Sequence, residues 1–248
     1  MEVLLGFAIA VAIGVTGVGG GVITAPALML LLGMRPLEAV TVSLIFASVV
    51  KLLIAPAYLW KGLVNFRILG KLLAGGVPGV IAGTFFLSKL DSANRHGLMY
   101  GILGFTVASM SCIHLYRLTR GLEVVRGHQD HSRWLPLVAA PIGIEMGFSS
   151  AGAGALGTIA LMSLTGLTAA EVVGTDVFFG LGLSLLGGGM HLAAGHVVSP
   201  VLWKLLLGGV VGGWTGTYVA STVPTKPLRA ALCCWLIVIG AQLCWKAF

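Results

Sequence analysis

The sequence predicts an all-α polytopic membrane protein assembled from two homologous modules. Three observations carry this prediction: too few charges to cover a fold in water, apolar runs long enough to cross a bilayer, and a gapless internal repeat built around matched glycine-rich interruptions. Of the 248 residues, 57% are apolar and 9% charged, with a mean hydropathy of +1.01. A soluble domain carries about a quarter charged residues, so the solvent this chain is built for is lipid. The net charge of +7 sits mostly between the apolar runs. No basic stripe is interleaved with aromatics, which argues against nucleic acid as a partner and for the positive-inside rule.

Apolar runs fall at roughly 3–33, 37–60, 68–88, 97–116, 135–165, 169–194, 201–221 and 228–245. Most match the roughly 20 residues of a spanning helix. The first and fifth are too long. Each is interrupted by a glycine-rich stretch, GVTGVGGG (14–21) and GFSSAGAG (147–154). The flanking pieces are each too short to span a core of about 30 Å. Each run is therefore a broken helix or a re-entrant hairpin with a glycine-rich tip. The start, MEVLLGFAIAVAIG, lacks a basic n-region and its apolar character runs on, so it reads as part of the first module and not as a removable signal peptide.

The two stretches sit 133 residues apart, and the offset holds without a gap. Gly14, Gly19 and Gly21 align with Gly147, Gly152 and Gly154; Glu38 aligns with Glu171, and Lys71-Leu72-Leu73 with Lys204-Leu205-Leu206. Roughly a third of the aligned positions between 14 and 88 are identical, more matched glycines than apolar composition alone supplies. The domain reading is a first transmembrane module (1–116), a polar basic linker (117–133) and a second transmembrane module (134–248). His128, Asp130 and His131 in the linker read as solvated loop and not as metal ligands, and no metal or cofactor is expected. Cys112, Cys233, Cys234 and Cys244 all lie in apolar runs without CxxC spacing and read as small hydrophobes.

If each over-long run is a hairpin, each module adds three full spans and the modules are inverted repeats. Lys61, Arg67, Arg117, Arg120, Arg126, Arg133, Lys226 and Arg229 then share a face, against Arg35, Lys89, Arg95, Lys204 and Lys246. That split favours a cytoplasmic linker with both termini outward. A single crossing by each run would make the modules parallel, with a weaker charge split.

A helix broken inside a membrane exposes N–H groups at the start of its second half, a main-chain anion site that needs no buried cation. Thr16, Gly19, Gly20 and Gly21 form one candidate tip, and Ser149, Ser150, Gly152 and Gly154 the other. Close packing by small residues is the competing explanation. The segments AVTVSL (39–44) and VVGTDV (172–177) lie in register and offer Thr41, Ser43, Thr175 and Asp176 as substrate-binding groups, against simple helix back-bonding. Lys51 lies deep in the second run and suits an anion. Glu145, Asp176 and His191 are the ionisable candidates for proton coupling. No G-x-S-x-G elbow and no P-loop occur, so neither a serine hydrolase nor an ATPase is indicated.

The run GVTGVGGGVITAPALMLLLG (14–33) with EAVTVSL (38–44), followed by GFSSAGAGALGTIALMSLTG (147–166) with EVVGTDV (171–177), resembles the TauE/SafE family of sulfite exporter-like membrane proteins. The resemblance covers essentially the whole chain. In the second copy GAG replaces GGG, Ile159 stands where Pro26 does, and Asp176 stands where Ser43 does. The resemblance implies a secondary transporter of small sulfur-containing anions, such as sulfite or organosulfonates, in a bacterial plasma (inner) membrane. Alternating access of one module against the other is the expected mechanism. A cation channel or carrier using the intramembrane acids is the alternative, and an intramembrane enzyme a more remote one. The expected partners are a small anionic substrate and the lipid bilayer, with a homo-oligomer left open.

Overall fold

A computed structural model describes residues 2–16, 20–93, 95–120, 131–195, 200–220 and 225–247. All its regular elements among these residues are helical. In chain order they are α1 (Glu2–Thr16), α2 (Gly20–Leu31), α3 (Pro36–Trp60), α4 (Phe66–Ser92), α5 (His96–Arg120), a 3₁₀ turn (Ser132–Trp134), α6 (Leu135–Ser149), α7 (Gly152–Leu164), α8 (Ala169–Ala193), α9 (Val201–Ala220) and α10 (Thr225–Trp245). The offset read from the sequence reappears in the helix ends. It separates α1 from α6 and α3 from α8 at both boundaries. α5 continues through Arg120, four residues into the segment assigned to the linker, because basic residues are well tolerated in a last helical turn.

Local signals explain the ends. Arg35 precedes Pro36 at the first position of α3, where proline's missing N–H costs nothing. Thr168 and Glu171 form a reciprocal capping box at α8. Asn65 Oδ1 accepts from Ile68 N–H at 3.1 Å and starts α4. Pro26, Pro56, Pro78 and Pro141 lie inside helices, as membrane helices allow.

The second over-long run breaks at Ser150 and Ala151, and the first is described as two helices on either side of residues 17–19. α1 and α6 are 15 residues each, about 22 Å at 1.5 Å per residue, and α2 and α7 are shorter. His131 N–H donates to Leu164 O at 3.1 Å, so the start of α6 and the end of α7 lie side by side and the second pair doubles back on itself. α3, α4, α5 and α8 are long and apolar enough to cross a membrane.

The modules interlock. α1 packs chiefly on α9 and α6 chiefly on α4, so each broken run is held by the other half. Glycines make these seams close. Gly75, Gly79 and Gly83 of α4 meet Pro136, Ala140 and Ile144 of α6, while Gly208 and Gly212 of α9 meet Val3 and Phe7 of α1. The aligned lysines take matching posts. Lys71 Nζ donates to Ser132 Oγ at 2.5 Å just before α6, and Lys204 Nζ pairs with Glu2 Oε2 at 2.7 Å at the start of α1. The buried rings of Phe46 and Phe179, also one repeat apart, lie on Gly209 and Gly76 respectively. α5 and α10 run antiparallel: Gly97 faces Ala247, and Gly104 faces Gly240 and Cys244. Trp60, Phe66, Phe105, Leu137, Trp203 and Trp245 are exposed on the outside, the surface that lipid covers.

Candidate functional site

The start of α2 and the end of α6 meet inside the molecule. α6 ends at Ser150, a non-glycine residue in the left-handed region (φ 66°) whose N–H still donates to Met146 O at 2.9 Å. A serine in this conformation costs on the order of 1 kcal/mol, so the surroundings must hold it. They do: Ser43 of α3 hydrogen-bonds Ser150 Oγ to Oγ at 3.0 Å, and both are buried. Gly21, at the start of α2, lies against the Ser150 carbonyl so closely that a methyl group there would overlap it. One module's Gly21 and Ser43 therefore meet the other module's Ser150 beside the N-terminus of α2.

The corresponding place in the second half is built differently. Asp176 of α8 is 6% exposed. Its Oδ2 accepts from Thr158 Oγ1 at 3.1 Å, and the Gly154 main chain bonds the same carboxyl group. Gly154 and Thr158 belong to the first two turns of α7, so the carboxyl group lies beside the start of that helix; the Thr158 hydroxyl also donates back to Gly154 O at 2.6 Å. Asp176 Oδ1 points at Gly157 and has no hydrogen-bond partner among the described residues. Lys51 of α3, 9% exposed, interacts electrostatically with Asp176.

Other candidates hold structure. Thr41 Oγ1 donates back to Leu37 O at 2.8 Å. Thr175 Oγ1 accepts from Asn65 N–H at 3.1 Å, which ties α8 to the α3–α4 connection. Ser149 Oγ donates to Glu145 Oε1 at 2.6 Å and accepts from Ala151 N–H at 3.1 Å, so these two residues fasten the turn into α7. His191 is fully buried near the far end of α8, about 22 Å along the axis from Asp176, and the structure does not bring it to the cluster. Thr16, Gly20 and Gly152 are described by their backbone alone; Gly19, His128 and Asp130 lie outside the described residues.

Sequence reasoning missed Thr158 and Gly157. A signal was available: Thr158 replaces Ala25 in the repeat as Asp176 replaces Ser43, and the two departures face each other.

The family model described as "Sulfite exporter TauE/SafE" matches residues 3–243. The chain belongs to the TauE/SafE family. Two Bacillus subtilis relatives carry the names "Probable membrane transporter protein" YjnA and YunE. The first is 27% identical over 97% of this chain and 98% of its own length, the second 25% identical over 93% and 91%. A Haemophilus influenzae "Probable membrane transporter protein" is 24% identical over 91% and 86%. No solved structure matches the chain. Membership makes the protein a multi-pass membrane transporter of the bacterial inner membrane and not an enzyme, with a small molecule as its cargo.

Proposed function

We propose that this TauE/SafE protein is a secondary transporter of a small anion, sulfite or an organosulfonate, and that it works by alternating access. The meeting of Ser43, Ser150 and Gly21 is the observation that carries this reading. The N-terminus of α2 offers main-chain N–H groups beside two neutral hydroxyls, a donor set suited to an oxyanion. The second tip already has a resident carboxylate in Asp176, so the first tip is the one left for a mobile anion.

The repeats are read as inverted. Equivalent helices α5 and α10 pack antiparallel, as an axis in the membrane plane requires. With the second run doubling back through His131 and Leu164, both broken runs become re-entrant hairpins entering from opposite faces, with a cytoplasmic linker. Contacts between the two tips then link the modules at mid-membrane, where rocking of one against the other exposes the site alternately.

The test is flux of sulfite and of methanesulfonate into proteoliposomes. The wild-type protein should carry one or both with saturation. Ser43→Ala removes a hydroxyl donor worth about 1 kcal/mol, so half-saturation should rise about fivefold with folding intact. No flux of either anion by folded wild-type protein defeats the proposal.

A further inference from the structure

We propose that Lys51 and Asp176 form a charge-exchange pair that couples each transported monovalent oxyanion to one proton. The inference rests on the anion reading above and adds the coupling ion.

Its basis is the charge balance of a buried site. Lys51 and Asp176 are both more than nine-tenths buried, and each alone would be an uncompensated charge in a low-dielectric interior. They interact electrostatically, but no direct salt bridge joins them among the described residues, and Asp176 Oδ1 has no hydrogen-bond partner there. The other charged groups on helices packed against α8 are Glu38 on α3, Arg67, Lys71, Lys89 and Asp91 on α4, and Glu145 on α6. None of these interacts with Asp176, and Lys71 and Glu145 are engaged by Ser132 and Ser149. Lys51 is thus the cation that faces this carboxylate. It also stands eight residues beyond Ser43 on the same helix, about 12 Å along the axis, and long side chains on a helix lean toward its N-terminus, the direction of Ser43.

With the site empty, Lys51 (+1) and Asp176 (−1) cancel. When an oxyanion (−1) arrives and takes Lys51 as its partner, Asp176 is left as a second negative charge. Binding one proton on Asp176 Oδ1 restores neutrality. No covalent bond other than that O–H forms, and the proton leaves when the anion does. One proton and one monovalent anion cross together, so net transfer is electroneutral.

The experiment uses wild-type protein in proteoliposomes with methanesulfonate, which does not itself titrate near neutral pH. Flux should follow an imposed pH gradient severalfold and stay unchanged under a potassium–valinomycin potential. Asp176→Asn should reverse this pattern: exchange persists, the pH response is lost and net flux now follows the potential. Wild-type flux that follows the potential and ignores the pH gradient overturns the coupling while leaving anion transport intact. Should Asp176→Asn not fold, infrared difference spectra of wild-type protein in lipid decide the matter. Adding methanesulfonate should raise a protonated-carboxyl band, and binding without that band overturns the proposal. Neither flux nor binding of methanesulfonate or sulfite defeats the anion reading, and the coupling with it.

Discussion

The two helix breaks occupy the same place in the repeat but are furnished in opposite ways. At the first, the polar neighbours of α2 are neutral: Ser43 and Ser150 share a hydrogen bond. At the second, the first turns of α7 meet a buried acid, Asp176, with Thr158, Gly154 and Lys51 around it. Equivalent places in the repeat thus hold a carboxyl group in one half and hydroxyls in the other. The repeat gives the frame twice, and Asp176 in place of Ser43 with Thr158 in place of Ala25 gives each copy a different polar lining.

The comparison breaks most severely at Lys51. Lys51→Met leaves Asp176 buried without its cation, and the about 3–5 kcal/mol lost on breaking a direct buried pair is the upper bound of the cost. The unfolding midpoint in detergent should fall sharply, and Lys51→Met/Asp176→Asn should recover most of the loss. The aligned residue in the other half, Ser184, only donates back to Gly180 O at 2.7 Å, so Ser184→Ala should be mild. Equal losses at both positions would mean that the lysine serves packing and not charge.

A smaller effect separates the glycines of the two tips. Gly21→Ala sets a methyl group against the Ser150 carbonyl and should cost about 1–3 kcal/mol through overpacking. Gly154, at φ 100°, meets a backbone limit instead, and Gly154→Ala should cost about 1–2 kcal/mol through strain. Because crowding at Gly21 comes from the partner module, Ser150→Gly should relieve part of the first loss and none of the second. Thermal unfolding of the three single variants and of the two doubles that carry Ser150→Gly checks this.

Much of the frame was legible because repetition and length are one-dimensional signals. Matched glycines gave the offset, and runs too long for one span gave the breaks. What the chain could not reveal is which hydroxyls face inward toward one another. Thr41, Thr175 and Ser43 look alike in a polar segment, yet two of them satisfy backbone groups and one meets the opposite module. Lys71 and Lys204 likewise aligned as a mark of the repeat, while their task of holding the start of the other module's broken run depends on a cross-module contact that spacing does not encode. The divergent pair Asp176 and Thr158 carried a signal that a residue-by-residue comparison of the two copies would have exposed.

The smallest expected effect concerns how the second turn is fastened. Ser149 Oγ accepts from Ala151 N–H and donates to Glu145 Oε1, so one hydroxyl satisfies a main-chain donor and a half-buried acid together. Ser149→Ala leaves both short of a partner, and Ser149→Thr keeps the hydroxyl. The alanine should cost about 1–2 kcal/mol, in line with an unmade buried hydrogen bond, and the threonine much less. Because neither group faces Asp176 or Ser43, the loss should fall on stability alone: a lower unfolding midpoint, with unchanged half-saturation for the transported anion. A shift in half-saturation without a change in midpoint would instead make Ser149 part of the binding surface, and the division of labour between the two tips would then have to be redrawn.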